Sequence, residues 1–209
     1  MRELEGLLRD GRSTEIRVSL DIEGVLADIS TPVINLYNEI HGTNWKVDDI
    51  KDWEFKSINA DVHEMMALFN RVWIERDQEI GFEGDTALAG KLAVIKGLEI
   101  VTSRTGVDSQ LGFFLERNGL GEVPLVINPP TKEKTELQYS VYIDDSPVLA
   151  EEIAKTEGKI LILVDRPWNR DVPKSDRMIR VADVNEAVSL LIRCMERGDS
   201  RRIKRRTSF

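Results

Sequence analysis

Two pairs of acidic side chains stand where apolar segments of this 209-residue chain end. Asp21 and Glu23 close the first such segment, just before Gly24, and Asp144 and Asp145 close a later one. Glycine permits a tight turn after a strand, so the first pair is expected where a buried strand meets its loop. A carboxylate at such a place can act as a nucleophile that accepts a phosphoryl group, provided that a cation offsets the meeting of two anions. The pattern favours phosphoryl transfer to Asp21.

Hydroxyl and ammonium groups suited to the same chemistry occur at two further places. Thr102 and Ser103 follow another apolar segment, and Lys134 lies in the loop before the second acid pair. The hydroxyls can donate to phosphate oxygens, and Lys134 offers positive charge to the phosphate and to Asp21. Lys132 lies in the same loop and is an alternative to Lys134 at this point. Alone, Asp21 with Glu23 is more typical of a capped turn and Lys134 of a solvated loop, while Thr102-Ser103 is equally compatible with helix capping. Only their combination favours catalysis.

Oxygen ligands for a magnesium ion are available among these residues. Mg²⁺ prefers octahedral oxygens at about 2.0–2.1 Å and keeps several waters, so one or two carboxylates, a backbone carbonyl and a substrate phosphate suffice. Asp21 and either Asp144 or Asp145 can supply the carboxylates, and the backbone of Glu23 can supply the carbonyl. The Glu23 carboxyl is the candidate general acid, and later the base that activates water.

Strand and helix patterns alternate from residue 86 onward and position these residues. Strands are predicted at residues 18–22, 98–101, 125–127, 141–143 and 160–164. An open parallel sheet flanked by helices places its ligands at the carboxyl ends of its strands, where the acids and hydroxyls stand. The predicted fold is therefore α/β, a three-layer Rossmann-like parallel sheet.

A mostly helical segment interrupts this pattern after the first strand. Residues 29–85 are predicted to form a small helical cap, inserted into a core made of residues 1–28 and 86–198. The core is expected to begin with a short amphipathic helix over residues 1–12. The last helix is expected to end near Gly198, and the basic residues 199–209 to form a disordered tail.

Composition excludes several other classes of protein. Cys194 is the only cysteine and the chain has two histidines, so an intrachain disulfide, a cysteine-rich zinc site and a histidine-based metal centre are not expected. The sequence contains neither a secretory signal nor an apolar run of about 18 residues, so a cytoplasmic protein without a membrane partner is expected. A net charge of −8 disfavours nucleic acid as the main partner. The oligomeric state stays open, with a homodimer as one option.

Four motifs along the chain resemble those of the haloacid dehalogenase superfamily of phosphatases. The first, Asp-x-Asp-x-(Val/Thr), is represented by Asp21-Ile22-Glu23-Gly24-Val25, and the second, a Thr or Ser that ends a strand, by Thr102. The third is Lys134, whose spacing to the acid pair matches the family, and the fourth is Asp144-Asp145. The resemblance implies that Asp21 is the nucleophile, that Thr102 and Lys134 hold phosphoryl oxygens, and that Mg²⁺ is the cofactor.

Shorter matches are similar to the 5'(3')-deoxyribonucleotidase type of that superfamily. They are Gly24-Val25-Leu26-Ala27-Asp28, Val101-Thr102-Ser103, Lys134-Thr135 and Ile143-Asp144-Asp145. Members of that type have a small helical cap after the first motif and bind the second acid of the pair, here Asp145, to magnesium. The resemblance covers roughly residues 16 to 192. It implies a small phosphorylated metabolite as partner, a (deoxy)nucleoside monophosphate, with a sugar phosphate as the alternative.

Glu23 departs from the superfamily pattern, which has aspartate as the general acid. The extra methylene moves the carboxyl by about 1.5 Å, and a misplacement of about 1 Å can cost on the order of a hundredfold in rate. Three outcomes follow: an adjusted backbone that lets Glu23 work, slow hydrolysis, or a module that binds phosphate without turnover. The first is favoured, because the other catalytic residue types are all present.

Aromatic residues in the predicted cap suggest a further role. Trp45, Trp53 and Phe55 lie in a polar stretch, and they are equally compatible with stacking on a nucleobase and with a structural role. Trp73 lies on the apolar face of a predicted helix and is expected in the core.

Overall fold

A parallel sheet forms the centre of the molecule in the computed structural model. The described residues are Leu4, Gly6, residues 16–128 and residues 133–206, with the backbone alone from residue 198. The helix predicted over residues 1–12 lies outside them except at Leu4, which is helical and buried, and Gly6. Lys132 lies outside them too.

The described strands and helices follow each other in the alternating order predicted for the second half of the chain. The strands are β1 (Val18–Leu20), β2 (Ala27–Asp28), β3 (Gly81–Phe82), β4 (Leu98–Thr102), β5 (Leu125–Ile127), β6 (Val141–Asp144), β7 (Ile160–Val164) and β8 (Met178–Val181). The helices are α1 (Ser30–His41), α2 (Val62–Glu75), α3 (Leu88–Ala93), α4 (Asp108–Arg117), α5 (Pro147–Lys155) and α6 (Val184–Arg206).

The central sheet has six parallel strands in the order β5-β4-β1-β6-β7-β8. Its middle strands are buried on both faces, as expected for a parallel sheet covered by helices. On one face, Tyr142 and Leu161 pack with Ile153 of α5, and on the other Ile143 and Ile162 join the larger apolar cluster. This three-layer α/β architecture confirms the predicted fold class.

The register of the sheet places the candidate residues at one edge. Leu20, the last residue of β1, lies opposite Ile100 of β4 on one side and Ile143 of β6 on the other. The residues that follow these three strand positions therefore emerge at the same carboxyl edge. Asp21 comes directly after β1, while Thr102 and Asp144 end their own strands.

A helical insertion joins the sheet through a second, two-stranded sheet. In β2 and β3, Ala27 pairs with Phe82 and Asp28 with Gly81 in antiparallel fashion, so β2 lies just before the predicted start of the insertion and β3 just before its predicted end. Between them, α1 and α2 pack against each other. The apolar face predicted for α2 is present, with Val72 and Trp73 fully buried.

The helix α6 differs from the prediction at its end. It continues through Gly198 to Arg206, whereas a helix end near Gly198 and a disordered tail over residues 199–209 were expected. One glycine costs a helix interior about 1 kcal/mol, and arginine and lysine are good helix formers, so glycine alone does not end this helix. Residues 207–209 lie outside the described residues. None of the described helices is both long enough and apolar enough to cross a lipid bilayer.

Candidate active site

Asp21 is fixed at the centre of the carboxyl edge by the pairing of β1 with β6. Its backbone N–H donates to the carbonyl of Ile143 at 3.0 Å. This bond fixes the position of Asp21 along the strand direction relative to Asp144 and Asp145, which follow Ile143. Its side chain is 11% exposed. This leaves a largely desolvated carboxylate facing the space above the sheet.

Lys134 bridges Asp21 and Asp144. Its Nζ atom lies 3.0 Å from Oδ1 of Asp21 and donates to Oδ2 of Asp144 at 2.7 Å. Burial lowers the pKa of Lys134, but the charges of Asp144 and Asp21 outweigh burial and raise it above its ordinary value. The ammonium group therefore stays charged. The structure thus places Lys134 beside Asp21, the candidate nucleophile, whereas Lys132 lies outside the described residues.

Asp21, Asp144 and Asp145 form a cluster of buried carboxylates. One oxygen of each lies within 4.8 Å of the others. Burial raises the pKa of Asp21 from 3.8 to about 7, against the opposing charge of Lys134. Burial and the neighbouring acids also raise the pKa of Asp145 well above its ordinary value. Because Lys134 offsets only part of this negative charge, the oxygen donors fit a divalent cation such as Mg²⁺.

Gly24 allows the acid cluster to close. Its φ is 73°, in the left-handed region that favours glycine. A Cβ atom at this position would lie 2.2 Å from Oδ2 of Asp145. The turn after β1 therefore needs glycine both for its backbone conformation and for the close approach of Asp145.

Sequence analysis missed a segment after β7 that supports the acid cluster. Trp168 Nε1 donates to Oδ2 of Asp145 at 3.0 Å, and Asn169 Nδ2 donates to the Asp145 carbonyl at 2.8 Å. Arg166 Nε donates to the carbonyl of Gly24 at 2.7 Å. The signal that could have found it is the polar and aromatic run of residues 165–169, which directly follows the apolar strand of residues 160–164. The acid pairs were found at the same kind of place, just after an apolar segment.

Thr102 and Ser103 border the same cavity as Asp21. Thr102 is buried at the end of β4, and its Oγ1 accepts a hydrogen bond from the backbone N–H of Arg104 at 3.1 Å. This bond stabilises the turn after β4. Both hydroxyls predicted to bind phosphate thus share one cavity with the acids and Lys134.

The cavity has a volume of about 520 Å³ and lies between the sheet edge and the insertion. The insertion contributes an apolar wall that includes Ile50, Trp53, Phe55, Met66 and Phe69, and Val148 and Leu149 of α5 add further apolar lining. Of the three aromatic residues with two open interpretations, Trp53 and Phe55 line the cavity, whereas Trp45 packs against the apolar core. Trp53 is 43% exposed, so its ring is accessible to a bound molecule.

Glu23 borders the same cavity, but its carboxylate lies outside the acid cluster and in a separate set of hydrogen bonds. Arg104 donates from Nε to Oε1 at 2.9 Å and from Nη2 to Oε2 at 2.8 Å. Trp73 Nε1 also donates to Oε1, at 2.7 Å. The carboxylate is therefore not part of the metal cluster, and the predicted metal ligand at this position is limited to the backbone carbonyl.

Comparison with known protein families identifies the chain. The family model described as "5' nucleotidase, deoxy (Pyrimidine), cytosolic type C protein" matches residues 14–196. The chain belongs to this family. Membership in the type C 5'-nucleotidase family confirms the resemblance drawn from the four motifs, and the protein is a hydrolase of the haloacid dehalogenase type. A comparison with curated protein sequences gave no match.

Solved structures with the same fold include haloacid dehalogenase-type hydrolases and a predicted phosphatase, all at low sequence identity. A haloacid dehalogenase-like family hydrolase from Streptococcus pneumoniae is 11% identical, with a TM-score of 0.56 over 85% of this chain and 99% of that one. A predicted phosphatase from Clostridium acetobutylicum is 12% identical, with a TM-score of 0.52 over 87% and 100%. A family IA, variant 3 hydrolase from Entamoeba histolytica is 15% identical, with a TM-score of 0.51 over 87% and 99%. These likenesses support the fold of this type C family member.

Proposed function

We propose that this protein is a Mg²⁺-dependent phosphomonoesterase that acts through a phospho-aspartate on a (deoxy)nucleoside monophosphate. The observation that supports the proposal most is the meeting of Asp21, Lys134 and the acid pair in one cavity, although they come from separate parts of the sequence. Separate locations for these residues would have ruled out the chemistry.

In the first step Asp21 attacks phosphorus and the bond to the leaving oxygen breaks. Lys134 lies beside the attacking carboxylate and offsets its repulsion with the incoming phosphate. Thr102 and Ser103 border the same space, where their hydroxyls can donate to phosphoryl oxygens. Glu23 borders the same cavity; in its protonated form, with the proton taken up from solvent, its carboxyl group gives that proton to the leaving oxygen.

In the second step water attacks the phospho-aspartate. Glu23, now a carboxylate, takes a proton from the water, and the bond between phosphorus and Asp21 breaks. Inorganic phosphate leaves and the Asp21 carboxylate is restored.

The residues that would hold Mg²⁺ are Asp21, Asp144 and Asp145, with the backbone carbonyl of Glu23. When bound, the ion supplies positive charge that offsets the meeting of carboxylate and phosphate anions. The buried, mutually repelling carboxylates support this assignment, because they need a cation to be ionised together.

The apolar wall of the cavity favours a nucleotide over a sugar phosphate. Trp53 and Phe55 offer aromatic faces, which bind nucleobases through stacking. From the described residues of the insertion, a sugar hydroxyl group would find only Ser30 and Asp52 as polar partners among mainly apolar side chains. The family description names a deoxy pyrimidine nucleotidase, which agrees with a base in this position.

A magnesium-dependent assay on an artificial aryl phosphate tests the proposed chemistry. The wild-type protein is expected to release phosphate only with Mg²⁺, and Asp21→Asn is expected to lose activity on the order of a thousandfold or more, since it lacks the nucleophile. Asp183→Asn is the matched control, because Asp183 accepts a hydrogen bond from Glu186 N at the start of α6, where Asn caps equally well. Full activity in Asp21→Asn would contradict the phospho-aspartate. No activity in either the wild type or Glu23→Asp would favour a phosphate-binding module instead.

A substrate panel tests the role of Trp53. Replacing it with alanine should raise KM for nucleoside monophosphates about 5- to 150-fold, because stacking on an aromatic ring contributes about 1–3 kcal/mol per base. KM for a sugar phosphate should stay unchanged. Ile40→Ala is the control, because Ile40 is similarly exposed on α1 and does not line the cavity. An equal rise in KM for both substrate classes would contradict base stacking.

A further inference from the structure

Arg104 connects three elements around Glu23. It follows β4, its Nε and Nη2 atoms donate to the Glu23 carboxylate, and its Nη1 donates to Oδ1 of Asn70 on α2 at 3.1 Å. The guanidinium carbon also lies 5.2 Å from the centre of the Phe69 ring. Each guanidinium nitrogen thus has a protein partner, and the side chain is only 13% exposed.

The Glu23 carboxylate is held from two directions. Arg104 approaches from the loop after β4, and Trp73 donates to the same carboxylate from α2. Both donors are well buried, Trp73 completely. Charge-assisted hydrogen bonds of this kind are short and directional, so they fix where the carboxylate lies.

The length of the side chain at position 23 matters for this arrangement. An aspartate there would place its carboxylate about 1.5 Å nearer the backbone, the length of one C–C bond. It could not keep the bonds to both Arg104 and Trp73 without a shift of the turn or of α2. Arg104 would then lose part of its pairing at a poorly hydrated position, which is unfavourable.

We propose that Arg104 is a positioning residue, which with Trp73 sets the place of the Glu23 carboxylate and makes glutamate the required length at that position. The proposal rests on the proposed function, in which Glu23 transfers protons. The side chain of Glu23 is one methylene longer than that of the aspartate in the superfamily pattern, and it fits because Arg104 and Trp73 donate hydrogen bonds to its carboxylate. The hydrogen-bond partners, rather than a changed backbone, therefore compensate for the extra length.

Steady-state kinetics separates positioning from direct binding of the substrate. Arg104→Gln should lower kcat for an aryl phosphate about a hundredfold with little change in KM, since a displacement of about 1 Å in a catalytic group has that effect. Glu23→Asp should also be slower than the wild type, by about tenfold or more. A higher kcat in Glu23→Asp than in the wild type would overturn the proposal. So would a rise in KM with unchanged kcat in Arg104→Gln, which would assign Arg104 to the substrate.

Arg117→Gln is the matched control. Like Arg104, Arg117 pairs with a carboxylate, that of Asp77, and its guanidinium carbon lies 5.2 Å from the centre of a phenylalanine ring. It does not line the cavity. Its replacement removes equivalent interactions elsewhere and should leave kcat unchanged, so an equal loss of kcat in both variants would indicate a general loss of stability and contradict the specific role of Arg104.

The indole N–H resonance of Trp73 gives a readout that does not need activity. In a ¹H–¹⁵N spectrum it is assigned as the indole signal that Trp73→Phe removes. Arg104→Gln should shift this signal, because the Glu23 acceptor moves. Arg117→Gln should shift it much less, because Arg117 reaches Trp73 only through the Phe114 ring. An unshifted signal in Arg104→Gln would overturn the proposal even if the wild type proved inactive, so failure of the positioning role and failure of the proposed function are distinguished.

Discussion

Asp145 depends on residues that lie more than twenty positions away in sequence. Trp168 donates to its carboxylate and Asn169 to its carbonyl, so the acid is oriented at two points. Residue type and motif spacing predicted Asp145 as a metal ligand. They did not predict Trp168, because its hydrogen bond depends on how the loop after β7 folds back over the sheet edge. The same holds for Trp73, whose burial was predicted correctly but whose bond to Glu23 was not.

Replacement of Trp168 by phenylalanine should weaken Mg²⁺ binding about 10- to 100-fold, the usual effect of removing a partner of a metal ligand. The ring volume is largely retained, so the loss reports the hydrogen bond to Asp145. The Mg²⁺ dependence of phosphatase activity measures the change. Trp45→Phe is the control, because Trp45 packs against the core outside the cavity. An unchanged Mg²⁺ dependence in Trp168→Phe would show that Asp145 is oriented without it.

The turn after β1 is the element on which the site geometry depends most. Gly24 has a positive φ, and its missing side chain leaves room for Asp145. Gly42, at the end of α1, also has a positive φ, of 66°, but a Cβ there would meet nothing within 4 Å. An alanine at either position strains the backbone, but only an alanine at position 24 also displaces Asp145. Comparing the two variants therefore separates the effect of backbone strain from the effect of moving Asp145.

Gly24→Ala should lower activity about a hundredfold, because the added methyl group must displace Asp145. Gly42→Ala should lose about 1–2 kcal/mol of stability, the cost of left-handed backbone for an alanine, and retain its activity. Denaturant unfolding gives the stability of each variant and the aryl phosphate assay its activity. Equal activity losses in the two variants would contradict a special role for the space beside Gly24.

Strands of three or more residues were predictable, with the exception of β8, and the two-residue strands were not. The strands β1, β4, β5, β6 and β7 were predicted because each is rich in apolar β-forming residues and lies next to turn residues. β2 and β3 have two residues each, too few to show any period. β8 was also missed, because Arg180 interrupts the apolar pattern of the short Met178–Val181 segment. The predicted end of α6 was wrong because the single glycine Gly198 was interpreted as the end of the helix.

At the scale of the whole molecule, the acid cluster links stability to pH and to metal. The folded state raises the pKa of Asp21 from 3.8 to about 7, so between these values it binds more protons than the unfolded chain. Stability of the metal-free protein therefore falls as pH rises through this window. A cation bound to the ionised acids should reverse that loss.

Thermal unfolding with and without Mg²⁺ tests this linkage. At a concentration about a hundred times its Kd, Mg²⁺ should add about 2.7 kcal/mol, or about 5–10 °C in Tm for a chain of this size. The shift should be larger at pH 8 than at pH 5.5, where protonated acids compete with the metal. Asp145→Asn should lose most of it. A shift that is equal at both pH values would contradict the linkage.

The β2–β3 pair has a consequence for protein engineering. Because Ala27 pairs with Phe82 and Asp28 with Gly81, the polypeptide leaves and re-enters the sheet region through adjacent backbone positions. Such paired residues lie about 4.5–5.5 Å apart. Residues 29–80 can therefore be exchanged as one segment: a different insert with closely spaced ends can be grafted there without altering the register of the six parallel strands. To keep the same phosphate chemistry, the new insert must supply a hydrogen-bond donor in place of Trp73, which holds Glu23.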